Sequence, residues 1–254
     1  MKFDELDRRL RVFETAHDVC VLPQVYMVAR LDGRSFTRLT KQTLPLERPF
    51  DVRFRDAMLE TTQHLMSVGF RVLYAYAQSD EISLLIDRDE TLFGRKLRKI
   101  QSVLAGEASA RLSLALGTIA CFDCRVSALP TRPLVIDYFR WRQEDAHRNA
   151  LNAHCYWRLR QEGASGHAAH TQVAGYSLAQ KNEFLFTRGV NVNDLPAWQR
   201  RGTGVYWREE PQAGIHPVTG EPTRFERRHI HVDPDLPMKE AYADYVAHRI
   251  PDTL

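Results

Sequence analysis

The chain has 254 residues, 44% of them apolar and 26% charged, which is the composition of an ordinary soluble globular protein with room for one large domain or a core with an appendage. Its net charge of +3 permits an acidic partner without requiring one. Four cysteines, Cys20, Cys121, Cys124 and Cys155, exclude a disulfide scaffold, and the longest apolar stretch is broken by Glu107 and Arg111, which excludes a membrane span there.

The start, Met1-Lys2-Phe3-Asp4-Glu5, is charged and lacks a secretory core, so a cytoplasmic location is expected. Residues 25–31 form a short apolar run suited to a buried strand. Phe54, Met58, Thr61, Leu65 and Val68 recur at helical spacing, predicting a helix over 51–68 with Asp51 as its cap and Gly69 as its stop. Strands are predicted over 71–77 and 82–87, joined by the polar turn Gln78-Ser79-Asp80-Glu81. A long helical pattern then runs from Phe93 to Ala115 and closes at Gly117, followed by a strand over 118–128. Cys121 and Cys124 fall on that strand, three apart and on opposite faces, and are read as reduced structural thiols.

This β-α-β-β-α-β order predicts an α+β fold of the split βαβ, ferredoxin-like kind, which polymerase palms, nucleotide cyclases and RNA-binding domains share. The second half is predicted to be a helical and irregular addition. A helix is expected over 134–161, a flexible break at 163–166, a further helix over 171–186, and a proline-rich irregular tail. Within that tail 205–208 and 224–232 are expected to pair as an extended hairpin around 214–220. The expected division is a palm at 1–132 and a C-terminal region at 133–254.

The chemistry concentrates in two strings, Leu31-Asp32-Gly33-Arg34 and Gln78-Ser79-Asp80-Glu81. Either alone is ordinary turn chemistry. In a split βαβ sheet, however, the end of the first strand lies beside the start of the third, which brings Asp32 and Asp80 to one edge. Two neighbouring carboxylates repel, and a hard divalent cation such as Mg²⁺ relieves that repulsion while also binding substrate phosphate. Two such ions suit in-line displacement at phosphorus. Gly33 allows close backbone approach, and the amides of Arg34, Ser35 and Phe36 are candidates for holding triphosphate oxygens. Arg34, Arg38, Lys41 and Arg48 add positive charge nearby. Arg95, Arg98 and Lys99 share a helix face by spacing and are candidates for nucleic-acid phosphates. His229 and His231 share a strand face but have no evident carboxylate or cysteine partner for a metal.

Six ordered strings carry a resemblance: Ala29-Arg30-Leu31-Asp32-Gly33-Arg34-Ser35-Phe36, Tyr76-Ala77-Gln78-Ser79-Asp80-Glu81, Phe122-Asp123-Cys124-Arg125-Val126, Trp141-Arg142-Gln143-Glu144-Asp145-Ala146-His147, Lys181-Asn182-Glu183-Phe184-Leu185-Phe186, and Asn193-Asp194-Leu195-Pro196 through Arg201-Gly202-Thr203. Over about residues 5 to 208 the chain resembles the tRNA-histidine guanylyltransferase family. The resemblance implies a palm working in the 3′-5′ direction on a tRNA 5′ end that ATP or GTP has activated. It implies metal at Asp32, the Gly33 carbonyl and Asp80, with Glu81 in the adjacent acidic position beside a second ion. It implies triphosphate contacts from Ser79, Arg34, Ser35 and Phe36, with Arg48 as a further phosphate contact. RNA handling is expected of His147, Asn149, Lys181 and Asn182, and the assembly of a homotetramer. The string His147-Arg148-Asn149-Ala150 departs from the eukaryotic His-Ile-Asn-Asn, which favours the guanylyltransferase-like branch that repairs tRNA 5′ ends on a template. A nucleotide cyclase on the same palm would release a cyclic product without RNA, and a non-catalytic RNA-binding protein would show no turnover.

Overall fold

In the computed structural model, residues 2–215 and 221–251 are described. A helix α1 (Phe3–Thr15), which the sequence reading did not anticipate, precedes the first strand. Then follow β1 (Tyr26–Gly33), a short α2 (Phe36–Arg38) continued by a π-turn, α3 (Val52–Leu65), β2 (Val72–Gln78), β3 (Glu81–Ile86), α4 (Leu97–Leu116) and β4 (Phe122–Leu129). The second half comprises α5 (Arg132–Gln161), α6 (Gly166–Ala174), α7 (Leu178–Phe186), α8 (Ala197–Arg201), β5 (Thr203–Ile215), β6 (Pro222–Asp233) and α9 (Glu240–Ala247).

The strands form one antiparallel sheet in the order β4-β1-β3-β2-β5-β6. Side chains alternate across it with the two-residue period of a strand. Met27, Ala29 and Leu31 of β1 face α3 and α4, whereas Tyr26 and Val28 face α5 and α9. Both faces are therefore covered, and β1, β2 and β3 carry mostly buried residues. This explains why their sequence reads as continuous apolar runs rather than alternation.

Local signals set most helix ends. The Asp51 carboxylate accepts from the Arg53 amide at 2.7 Å and caps α3, as anticipated. Gly117, at φ 64°, ends α4. Thr131 caps α5, whose 30 residues span about 45 Å at the usual helical rise. The first half of α5 packs on the sheet through Val135, Phe139 and Ala146. Its second half holds α6 and α7 through Leu151, Cys155 and Leu159. One helix thus links the sheet to a small helical bundle and leaves a concave angle between them.

Four expectations are corrected. The helix foreseen over 171–186 is two helices, because Ser177 and Gln180 form a reciprocal capping box that starts α7 afresh. The helical pattern from Phe93 begins as an α-helix only at Leu97, since Phe93, Gly94 and Arg95 take left-handed backbone angles. The tail foreseen as largely irregular also ends in a helix, α9. Its hairpin is longer than foreseen, running from Gly204↔Asp233 to Ile215↔Pro222, and β5 pairs with β2 from Tyr74↔Tyr206 to Ala77↔Thr203. Those pairings are long-range and have no local signature. Residues 216–220 of the expected hairpin connection, together with 1 and 252–254, lie outside the described residues.

Candidate active site

Strand register builds the acidic edge. Asp32 stands opposite Glu81 of β3 on one side and Asp123 of β4 on the other. The Gly33 amide donates to the Asp80 carbonyl at 3.1 Å, which ties the end of β1 to the β2–β3 turn. Gly33 is required by close approach: a Cβ there would lie 2.3 Å from the buried Phe36 ring. Phe36 in turn packs edge-on against Phe54 and Phe122, locking the chain just after Asp32. Ser79 adopts φ 53°, the left-handed angle that a tight two-residue connection demands.

The carboxylates at this edge differ in their partners. Burial pushes the Asp80 carboxyl up to about 6, with the neighbouring Asp32 and Glu81 charges adding to the rise. Glu81 is also raised by burial but is opposed by Arg142, which donates to its two oxygens at 2.7 and 2.6 Å. Arg30 approaches Glu81 at 3.7 Å. Arg142 further reaches Asp145 at 3.0 Å, and Arg148 closes on the same carboxylate. The nearest guanidinium groups are thus turned to Glu81 and Asp145, and no Lys or Arg pairs with Asp32 or Asp80 among the described residues.

Asp32, Asp80 and Glu81 line a cavity of about 890 Å³ that opens between the sheet edge and the helical bundle. That volume suits a ligand of nucleotide size. The opposite wall is aromatic and cationic. The Lys41 ammonium lies 4.8 Å from the Tyr156 ring centre and 5.8 Å from that of Trp157, and the Arg48 guanidinium lies 5.3 Å from Trp157. Burial lowers the Lys41 pKa, and the charges of Arg48 and Arg160 lower it further. Arg55 stacks on Trp198 at 4.8 Å, and His154 shares a hydrogen bond of 3.1 Å with Gln199.

The remaining sequence-derived candidates divide. Phe36, Arg48, Ser79, Asn149 and Lys181 reach the cavity. Asn182, the next residue on α7, is exposed and bonds its own helix at Leu178. His147 is half-buried, and its pKa is lowered by burial and by Arg200 and Arg201. The Arg34 amide is not free for a phosphate, because it donates to the Cys121 carbonyl at 2.8 Å. Glu81 lines the cavity and is paired with Arg142. Arg95 is corrected. It is buried, and its guanidinium donates to the carbonyls of Val21, Val25, Arg88 and Glu90, so it braces loops instead of meeting RNA. Arg98 pairs with Asp18, and the Lys99 ammonium lies 5.9 Å from the centre of the Phe93 ring. Both stand at the start of α4, about 30 Å along the helix from the end that leads to Phe122 and Gly33.

The sequence reading gave no role to Arg142 and Asp145, although they fall within a motif string. The missing signal is tertiary: 61 residues separate Arg142 from Glu81. Burial pushes the Cys124 thiol up to about 12, which fits an inert structural cysteine.

Known proteins place this arrangement. A family model described as tRNAHis guanylyltransferase (Thg1) matches residues 7–130, and one for the Thg1 C-terminal domain matches 134–240. A probable tRNA(His) guanylyltransferase of Drosophila melanogaster is 33% identical over 196 residues, covering 73% of this chain and 68% of the relative. That of Debaryomyces hansenii is 31% identical, covering 72% and 74%. A solved bacterial tRNA(His) guanylyltransferase (Thg1)-like protein in complex with ATP superposes with a TM-score of 0.74 at 26% identity, covering 96% of this chain and 99% of that one. The same kind of protein in complex with GTP gives 0.73 at 27%, covering 97% and 99%. The Saccharomyces cerevisiae tRNA(His) guanylyltransferase gives 0.70 at 26%, covering 81% and 93%. From the acidic edge to the bundle that faces it, the chain belongs to the tRNAHis guanylyltransferase family and is a nucleotidyltransferase.

Proposed function

We propose that this enzyme adds nucleotides in the 3′-5′ direction to the 5′ end of tRNA, on an end first activated by ATP or GTP. The observation that carries the reading is the Asp32–Asp80 edge, with which no Lys or Arg pairs among the described residues, opening into a cavity whose far wall is cationic and aromatic. We read β1–β4 with α3 and α4 as a palm within residues 1–132, and 133–254 as the region that handles RNA.

The acidic pair fits Mg²⁺. Asp80 is held above its usual range by burial beside Asp32, so the site is short of positive charge. Among the described residues no group of three or more His, Cys, Asp or Glu side chains forms a metal cluster. Two carboxylates with the Gly33 carbonyl suit an ion that keeps water and phosphate in its remaining positions. Asp32, Asp80 and that carbonyl would hold Mg²⁺, which when bound neutralises the pair and lowers the pKa of an attacking hydroxyl.

The chain's own groups do the rest. Ser35 and Phe36 present amides at the start of α2 to a phosphate. Arg48, Lys41 and Lys181 supply positive charge across the cavity, and Trp157 offers a face for a base or a guanidinium. Arg142 holds Glu81 and so fixes the start of β3 next to the turn that carries Asp80. The incoming 3′-hydroxyl oxygen forms a bond to the activated 5′ phosphorus, the activating nucleotide leaves as its monophosphate, and the hydroxyl proton passes to solvent or a nearby carboxylate.

We place the enzyme in the guanylyltransferase-like branch, which extends truncated tRNAs by base pairing. The altered His147-Arg148-Asn149-Ala150 string supports this, as does a likeness to the bacterial structures that covers 96–97% of the chain against 81% for the yeast one. A homotetramer in the cytoplasm is the corresponding assembly and location. The test is 5′ extension of tRNAs with varied opposing bases, using labelled nucleotides and Mg²⁺. Product that follows the opposing base is expected. Addition of G regardless of template would return the enzyme to tRNA-histidine maturation. A cyclic product without RNA would overturn the reading.

A further inference from the structure

Helix α1 buries none of its residues. Yet Phe3, Leu6, Leu10 and Phe13 recur at spacings of three, four and three, which aligns them in one stripe along the helix. They are 79%, 43%, 54% and 75% exposed. A 13-residue helix alone in water is marginally stable, so such a stripe calls for a partner surface.

The charges beside the stripe identify that surface. With Phe3 and Leu10 at the first core position of a heptad and Leu6 and Phe13 at the fourth, Lys2 and Arg9 flank one side, while Asp7 and Glu14 flank the other. In an antiparallel pair each side would face its own kind, basic on basic and acidic on acidic. In a parallel pair Lys2 meets Asp7 of the second copy, and Arg9 meets Glu14 of the second copy. Within one chain, Arg11 holds Asp7 at 2.6 Å, an exposed pair that pairing between copies would loosen. Within α1, Arg8, Arg9 and Arg11 face Asp4, Glu5, Asp7 and Glu14, and Lys2 before it brings the segment to neutrality, so it has no positive charge with which to seek RNA or an anionic lipid surface.

We propose that α1 is a docking surface for α1 of a second copy of this chain, the two helices lying parallel with the Phe3, Leu6, Leu10 and Phe13 stripes in contact. The site is two heptads long, so the contact is weak by itself and adds one step to a larger assembly.

Sedimentation velocity of the full chain over a wide concentration range tests it. The wild type is expected to associate, and Leu10→Asp is expected to weaken that step roughly 100-fold, since each pair loses two core contacts. Arg9→Glu is expected to weaken it about 10-fold, and Arg9→Glu combined with Glu14→Arg to restore it. Leu6→Cys in a Cys20→Ser background is expected to form a disulfide between copies, because fourth-position residues face each other in a parallel pair. An unchanged thermal unfolding midpoint checks that each variant folds, since α1 contributes nothing to the core. A monomeric wild type, assembly indifferent to Leu10→Asp, failure of the double charge swap to rescue, or no disulfide would each overturn the proposal. So would a monomer whose α1 crosslinks to tRNA.

Discussion

The two walls of the cavity are built by different means. The acidic wall is strand register: Asp32, Asp80 and Glu81 sit at the ends of adjacent strands, and backbone pairing fixes their spacing. The cationic wall is tertiary packing: Lys41 from the π-turn after α2 and Arg48 from the loop that follows meet Tyr156 and Trp157 from the far half of α5. Backbone hydrogen bonds define the first wall rigidly, whereas long side chains that interdigitate across the angle of α5 compose the second. The first suits reacting atoms, whose placement tolerates little error, and the second suits binding.

If the acidic wall does the chemistry, Asp32→Ala or Asp80→Ala should lower 5′ extension by roughly 1,000-fold or more, measured as kcat, with folding intact. Activity close to wild type would break the comparison at its root. Next in size is Arg142→Ala, which leaves the largely buried Glu81 with only the longer contact to Arg30 at 3.7 Å and should cost about 3 kcal/mol in denaturant unfolding. Replacing Glu81 and Arg142 together by Met should cost far less, since neither charge is then stranded.

Gly33→Ala drives a methyl into the Phe36 ring and should cost about 1–3 kcal/mol of stability and more in kcat than in KM, because the same turn carries Asp32. Trp157→Ala removes the ring under Lys41 and Arg48. It should raise KM for the nucleotide about fivefold with little change in kcat, the signature of a binding wall. An equal fall in kcat would blur the division between the walls.

The smallest effect concerns the cap of α3, beside the cavity. Arg53 and the Glu47 and Arg53 amides hold the Asp51 carboxyl well below the usual carboxylate range. A carboxyl whose folded pKa is depressed stabilises above its unfolded pKa, and that contribution fades as pH falls from there toward the folded value. Asp51→Ala should therefore lose about 1 kcal/mol at neutral pH, and the gap to wild type should shrink as pH falls below about 4, read by unfolding curves across pH.

Much of this was legible in the chain. The apolar runs of β1 to β3, the helical spacing of α3, the Asp51 cap and the Gly117 stop are local codes, and they led to an acidic edge at Asp32 and Asp80. The reading failed where local pattern and tertiary role part. Arg95 shares the spacing of a basic helix face, yet its guanidinium is drawn inward by four carbonyls that no spacing rule reveals. Glu81 reads as a free acid beside Asp80, and the pairing with Arg142 of α5 has no local signature. The proline-rich tail reads as irregular because β5 and β6 gain their order from pairing with β2 and with each other.

By itself, then, the sequence determined the strand-and-turn framework that carries Asp32, Gly33 and Asp80, because neighbouring residues set hydrogen-bonding geometry and apolar period. Only the tertiary structure decided which charges that framework leaves uncompensated. Arg142 pairs with Glu81, whereas no Lys or Arg among the described residues pairs with Asp80, a distinction that depends on a helix returning more than fifty residues later to one side of a turn.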